Sequence, residues 1–199
     1  MSARADVEPH PPQRGPRRTA VDVRIAAFDQ RVDHALEPLR ERPSIGAAFR
    51  FATRIGDFSV VWLLIGLFVG LVIDQDWRHT VWFCGCIAAE SVIVNQGVKR
   101  LFRRTRPTTT GDARFQVRKP STSSFPSGHA SAGFFAATLL SAWVGWPSAP
   151  IWFAIALIVA GSRAFVRIHH PSDVVAGAAF GLAVGLVTVG LGGAHLLTR

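Results

Sequence analysis

Five apolar stretches separated by short polar loops constrain this chain more than any other feature. They run over residues 58–73, 80–98, 128–146, 151–166 and 174–197. Each is close to the roughly 20 residues that a helix needs to cross the hydrocarbon core of a bilayer, and several fall slightly short. Almost half the 199 residues, 49%, are hydrophobic, yet the formal net charge is +9. A soluble domain seldom combines the two, whereas a small membrane protein with basic loops does so naturally. The expected fold is all-α: a polytopic membrane helix bundle with five transmembrane spans plus an N-terminal amphipathic helix.

Three regions are expected along the chain. Residues 1–20, rich in Pro and Arg, read as a disordered basic tail. Residues 21–55 read as a helical arm, because Val21, Ile25, Phe28, Val32 and Leu36 recur at helical spacing between charges. Such a helix lies on the membrane or against the bundle, and Pro38 and Pro43 are expected to break it. Residues 56–199 form the membrane-embedded domain. The first fifty residues hold no apolar run of the kind a cleavable leader requires. Gly177, Gly181 and Gly185 make a small-xxx-small ladder that lets helices approach closely in lipid. Cys84 and Cys86 point apart on a helix, which argues against a disulfide or a metal clip.

The spans alternate in direction, and this gathers the polar residues at their ends. The second span ends at Lys99, the third begins at His129, the fourth ends near Arg163 and the fifth begins at Asp173. All four points fall on one membrane face, while Trp77, Trp82, Trp143, Trp146 and Trp152 fall on the other, as an aromatic belt would. Lys and Arg crowd the first face, and the second carries Arg78, Arg199 and little else. The positive-inside rule therefore places the crowded face in the cytoplasm of a cell-membrane protein.

Three stretches on that face carry chemistry: KRLFRRTRP (residues 99–107), PSGH (126–129) and SRAFVRIHHPSD (162–173). A phosphate monoester carries close to two negative charges, which Lys99, Arg106 and Arg163 can neutralise, the arginines through paired N–H donors. Ser127 and Gly128 sit where a helix begins, so backbone N–H groups and a hydroxyl can meet an anion there. His129, in the first turn, is placed to protonate a poor alkoxide leaving group. His169 and Asp173 lie one helical turn apart, so the carboxylate can accept from one ring nitrogen and leave the other as a nucleophile. His170 is adjacent and competes for that part; the four-residue step to Asp173 favours His169. Glu90, an ionisable residue inside the second span, is either functional or hydrogen-bonded within the bundle. Arg167 reads as a loop anchor.

The ordered pattern K-x6-RP, PSGH and SR-x5-H-x3-D resembles the type 2 phosphatidic acid phosphatase, or lipid phosphate phosphatase, superfamily, whose pocket is related to that of vanadium-dependent haloperoxidases. The resemblance covers roughly residues 58 to 195. It implies a metal-independent phosphatase that works through a phosphohistidine at His169 oriented by Asp173. It further implies that His129 protonates the leaving alcohol and then helps activate water. Lys99, Arg106, Ser127, Gly128 and Arg163 would hold the phosphoryl oxygens. The family pattern has six helices, and here an amphipathic arm stands where the first span would be.

The expected substrate is a membrane lipid phosphate: phosphatidate, phosphatidylglycerophosphate, a phosphoinositide or a polyprenyl diphosphate. No cofactor, metal or nucleic acid is expected. The alternatives are a phosphotransferase passing phosphate to a lipid or sugar acceptor, and a vanadate-dependent haloperoxidase-like enzyme; five apolar spans argue against the latter.

Overall fold

The computed structural model describes residues 19–108, 114–115 and 122–193. Most of the basic tail, residues 1–18, lies outside the described residues. Among these all regular structure is helical.

Helix α1 (Ala20–Arg40) starts at a reciprocal cap: the Thr19 hydroxyl accepts from the Asp22 amide at 3.2 Å, and the Asp22 carboxylate accepts from the Thr19 amide at 2.8 Å. Pro38 does not break the helix as expected. The helix runs only two residues beyond Pro38, so the loss is confined to the one bond its missing N–H would make, and Arg40 folds back to donate to the Asp33 carbonyl at 2.9 Å. The face packed against the bundle is not the apolar one. Val21, Ile25 and Phe28 stay exposed, while Asp29 and Arg40 are buried against the bundle. Helix α1 therefore docks mainly through its charges, helped by Leu36 and Leu39 against Phe165.

Helix α2 (Pro43–Ile55) bends by 73° over residues 56–59 into α3 (Val60–Phe68), which continues in wider π-helical turns over Val69–Asp74. Helix α4 (Trp77–Val92) continues through Ile93–Val98 into the short turn α5 (Lys99–Leu101). Next come α6 (Gly128–Val144), α7 (Ala149–Phe165) and α8 (Pro171–Thr188). Among the described residues, three helices are long and apolar enough to cross a membrane: Trp77–Leu101, Trp146–Phe165 and Pro171–Leu191. The bent pair Pro43–Ile55 and Val60–Asp74 passes the same test only as a unit.

Helix α6 is the axis of the bundle, with twelve of its 17 residues buried. Phe135, Leu139, Leu140 and Trp143 pack with Trp62 of α3 and Phe83 of α4 in the principal core. The large apolar side chains on the outside, Leu64, Val81, Ile151, Leu157 and Val175 among them, suit contact with lipid. Helix α8 lies almost backbone-to-backbone on α6. A Cβ at Gly177 would run into the Ser127 carbonyl, and one at Gly181 into the Ser131 carbonyl. A Cβ at Gly185 would stand 2.8 Å from that of Thr138. The three-glycine ladder thus faces α6 and brings the starts of α6 and α8 together.

Candidate active site

Helix directions bring the signature residues to one end of the bundle. Lys99 opens α5, the last turn of the helix that α4 begins; α6 starts at Gly128, α7 ends just beyond Arg163, and α8 starts two residues after His169. Ser127 precedes α6 and donates its amide to the Asp173 carbonyl at 3.0 Å, which ties the PSGH turn to the first turn of α8. A Cβ at Gly128 would lie 3.3 Å from Lys99 Nζ and 3.4 Å from Asn95 Oδ1, so the small residue keeps the lysine close to the start of α6.

His169 is 2% exposed. Its Nδ1 stands 2.7 Å from the Ser124 carbonyl and 3.7 Å from Asp173 Oδ2. A carbonyl can only accept, so Nδ1 carries the proton and Nε2 holds the lone pair. The spacing argument expected Asp173 to accept directly from the ring; Ser124 stands in that position and Asp173 lies behind it. Asp173 Oδ2 accepts from the Ser124 hydroxyl and, at 2.9 Å, from the His170 amide. Burial above all pushes the His169 imidazole down to about 3; Asp173 opposes this, and Arg163, Arg106 and Lys99 add to it. At neutral pH the ring is therefore uncharged, with a free lone pair on Nε2.

That lone pair faces Arg106, whose Nη1 is 3.3 Å from Nε2 and 2.9 Å from the Ile168 carbonyl. Arg106 is held from its other side by the carbonyls of Thr122 at 3.1 Å and Ser123 at 3.4 Å. His170 turns elsewhere. Its Nε2 meets the Thr105 carbonyl at 3.2 Å and its Nδ1 lies 3.9 Å from Asp29. Of the adjacent pair, His169 is the one whose ring contacts Arg106.

Arg163 is 1% exposed and is bound by the Thr53 hydroxyl, with Asp57 3.9 Å away. Asp57 also stands 3.0 Å from His129 Nε2. Sequence reasoning did not single out Asp57; the signal available was an acid directly before an apolar segment. Among the described residues, five buried polar atoms of the site have no hydrogen-bond partner: Arg106 Nε, Ser127 Oγ, His129 Nε2, and Arg163 Nε and Nη2. Buried donors of this kind are costly unless satisfied, and a tetrahedral oxyanion supplies acceptors in several directions at once.

Glu90 is buried and accepts from the Ser131 hydroxyl of α6 through one carboxylate oxygen. Arg167 is an anchor, as expected: it adopts φ 56° and pairs with Asp33 at 2.7 Å and Glu37 at 2.9 Å on α1. Burial pushes Asp33 up, but Arg167 and Arg40 outweigh it and hold the carboxyl below its ordinary value. Among the described residues no group of three His, Cys, Asp or Glu side chains is arranged to hold a metal ion.

Comparisons with known proteins agree with this picture. The decaprenylphosphoryl-5-phosphoribose phosphatase of Mycobacterium tuberculosis H37Rv is 32% identical over 166 residues, spanning 81% of this chain and 88% of that protein. Its counterpart in Mycolicibacterium smegmatis is 33% identical over 145 residues, or 70% of this chain and 74% of the relative. The crystal structure of a transmembrane PAP2-type phosphatidylglycerolphosphate phosphatase from Bacillus subtilis shares the fold. Its TM-score is 0.67 at 19% identity, covering 84% of this chain and 86% of that one. The PAP2 superfamily model matches residues 79–195, which include all three signature stretches. The chain belongs to the PAP2 superfamily.

Proposed function

We propose that this protein is an integral membrane phosphatase that removes the terminal phosphate of a polyprenyl-linked substrate through a phosphohistidine at His169. The observation that carries the reading is the set of unpartnered buried donors on Arg106, Ser127 and Arg163, at the same end of the bundle as the free Nε2 of His169. Arg106, Arg163, Lys99, Ser127 and the amides at the start of α6 bind the phosphoryl oxygens.

His169 Nε2 attacks phosphorus as the P–O bond to the alcohol breaks, and His129 gives its proton to the departing oxygen. Water then attacks the phosphohistidine and yields a proton to His129; the P–N bond breaks, releasing orthophosphate and restoring both rings. The Ser124 carbonyl and Asp173 keep the His169 ring oriented and favour the positive charge it gains on attack. Three cationic side chains, Lys99, Arg106 and Arg163, are available to neutralise the phosphoryl group, which supports chemistry independent of metal.

The mycobacterial relatives act on decaprenylphosphoryl-5-phosphoribose by name. We extend that substrate class, a lipid-linked sugar phosphate, to this chain; sequence reasoning alone had left four other lipids open. The topology proposed is five crossings, with α3 and α6 completing the three longer helices. The phosphate site then lies on the cytoplasmic face of the cell membrane, and α1 rests at the interface.

The test is phosphate release by purified protein from the polyprenyl-linked phosphoribose, phosphatidate, phosphatidylglycerophosphate, a phosphoinositide and a polyprenyl diphosphate. The first should be hydrolysed fastest, EDTA should leave the rate unchanged, and His169→Ala should abolish release from every lipid. Full activity in that variant refutes the phosphohistidine; a preference for phosphatidate refutes the substrate assignment.

A further inference from the structure

Helix α1 reaches the nucleophile through a single arginine that belongs to none of the signature positions. Arg104 lies within KRLFRRTRP, between Lys99 and Arg106. Its Nη1 donates to Asp173 Oδ1 at 2.5 Å and to the Ser172 hydroxyl at 2.8 Å. Its Nη2 donates to Asp29 of α1 at 2.7 Å. Asp29 in turn accepts from the Ser172 amide and from the Ser172 hydroxyl, each at 2.8 Å. The first turn of α8 is thus gripped by one carboxylate of α1 with Arg104 between them.

The backbone of Arg104 grips the other side of the same ring. Its amide donates to the Ser123 hydroxyl at 3.2 Å, and its carbonyl accepts from the Ser124 amide at 3.0 Å. Ser124 is the residue whose carbonyl takes the proton of His169 Nδ1 and whose hydroxyl donates to Asp173. Both groups that orient His169, the Ser124 carbonyl and the Asp173 carboxylate, are therefore fixed by one residue. Asp29 is 6% exposed, so this contact is an inner one.

We infer that Asp29 and Arg104 are a positioning pair for His169, and that α1 is a working part of the site. The inference rests on His169 being the nucleophile. Arg104 is spent on protein partners, Asp29, Ser172 and Asp173 among them, so it acts through Asp173 and Ser124 and does not bind phosphate. Loss of the pair lets the ring rotate off the line of attack, and misplacement by about 1 Å suffices to slow an in-line displacement about a hundredfold. The phosphate-binding cations stay in place.

The test compares Arg104→Gln, Arg104→Lys, Asp29→Asn and the double variant Asp29→Asn/Arg104→Gln in full-length protein. Each is assayed for kcat, KM, the inhibition constant of inorganic phosphate and thermal midpoint in detergent. Arg104→Gln should lower kcat about tenfold to a hundredfold, with KM and the phosphate inhibition constant within about twofold of the parent. Arg104→Lys, which keeps one ion pair, should recover part of the loss. The double variant should be no slower than Arg104→Gln alone, because the two residues act as one unit. Arg31→Gln, an exposed change on the same helix, should leave kcat unchanged. An unaltered kcat in Arg104→Gln overturns the inference. So does a phosphate inhibition constant that weakens in step with kcat, which would make the arm a general brace. His169→Ala in parallel separates the two readings: if it stays active, the nucleophile assignment has failed and the positioning pair falls with it.

Discussion

At the scale of single residues, the contact between His129 and Asp57 bears most directly on the chemistry. Asp57 sets a carboxylate 3.0 Å from Nε2 of the ring proposed to give a proton to the leaving alkoxide. Deleting His129 should therefore matter in proportion to how badly the leaving group needs that proton. His129→Ala is expected to slow hydrolysis of an alkyl phosphate about 10²- to 10⁴-fold, and to slow p-nitrophenyl phosphate far less, since nitrophenolate leaves unprotonated. Equal losses on both substrates would remove His129 from the acid role. The residues that sequence reasoning missed share one trait. Asp57 precedes His129 by 72 positions, and Arg104 is one of four arginines in the stretch KRLFRRTRP, so no string marks either as special. Their importance comes from what the folded chain sets beside them.

At the scale of elements, the contact between α6 and α8 fixes how far His129 stands from His169. Because Gly177 and Gly181 meet carbonyls of α6 directly, there is no side chain to yield when the gap narrows. Gly181→Ala should lower the thermal midpoint in detergent by an amount equivalent to about 1–3 kcal/mol. Gly161→Ala, whose Cβ would meet nothing within 4 Å, should leave the midpoint unchanged. Comparable midpoints for the two variants would show that the glycine contact does not set the packing. Helices α4, α6, α7 and α8 were legible because apolar length and the Gly ladder report directly on contact with lipid and on close approach. Helix α1 was legible only as a helix. Hydrophobic spacing marks the face of Val21, Ile25 and Phe28, whereas the face packed on the bundle is made by Asp29, Asp33 and Arg40, whose partners Ser172, Arg167 and Phe165 lie far along the chain.

At the scale of the whole molecule, every element end that carries a signature residue lies at one pole, and that pole is the basic one. The orientation that follows can be read by labelling. In a background with Cys84 and Cys86 replaced by Ala, Arg103→Cys should react with an impermeant maleimide only after cells are opened, and Arg78→Cys should react in sealed cells. The reverse pattern would place the site outside. The same view bears on the order in which the protein is made. Asp29 binds Ser172, 143 positions later, and Arg40 binds the Phe165 carbonyl, 125 positions later. The earliest described helix to leave the ribosome must wait for nearly the last loop. A nascent chain can thus carry the cations of KRLFRRTRP well before it has an aligned histidine, and hydrolytic competence arrives as one of the final events of synthesis.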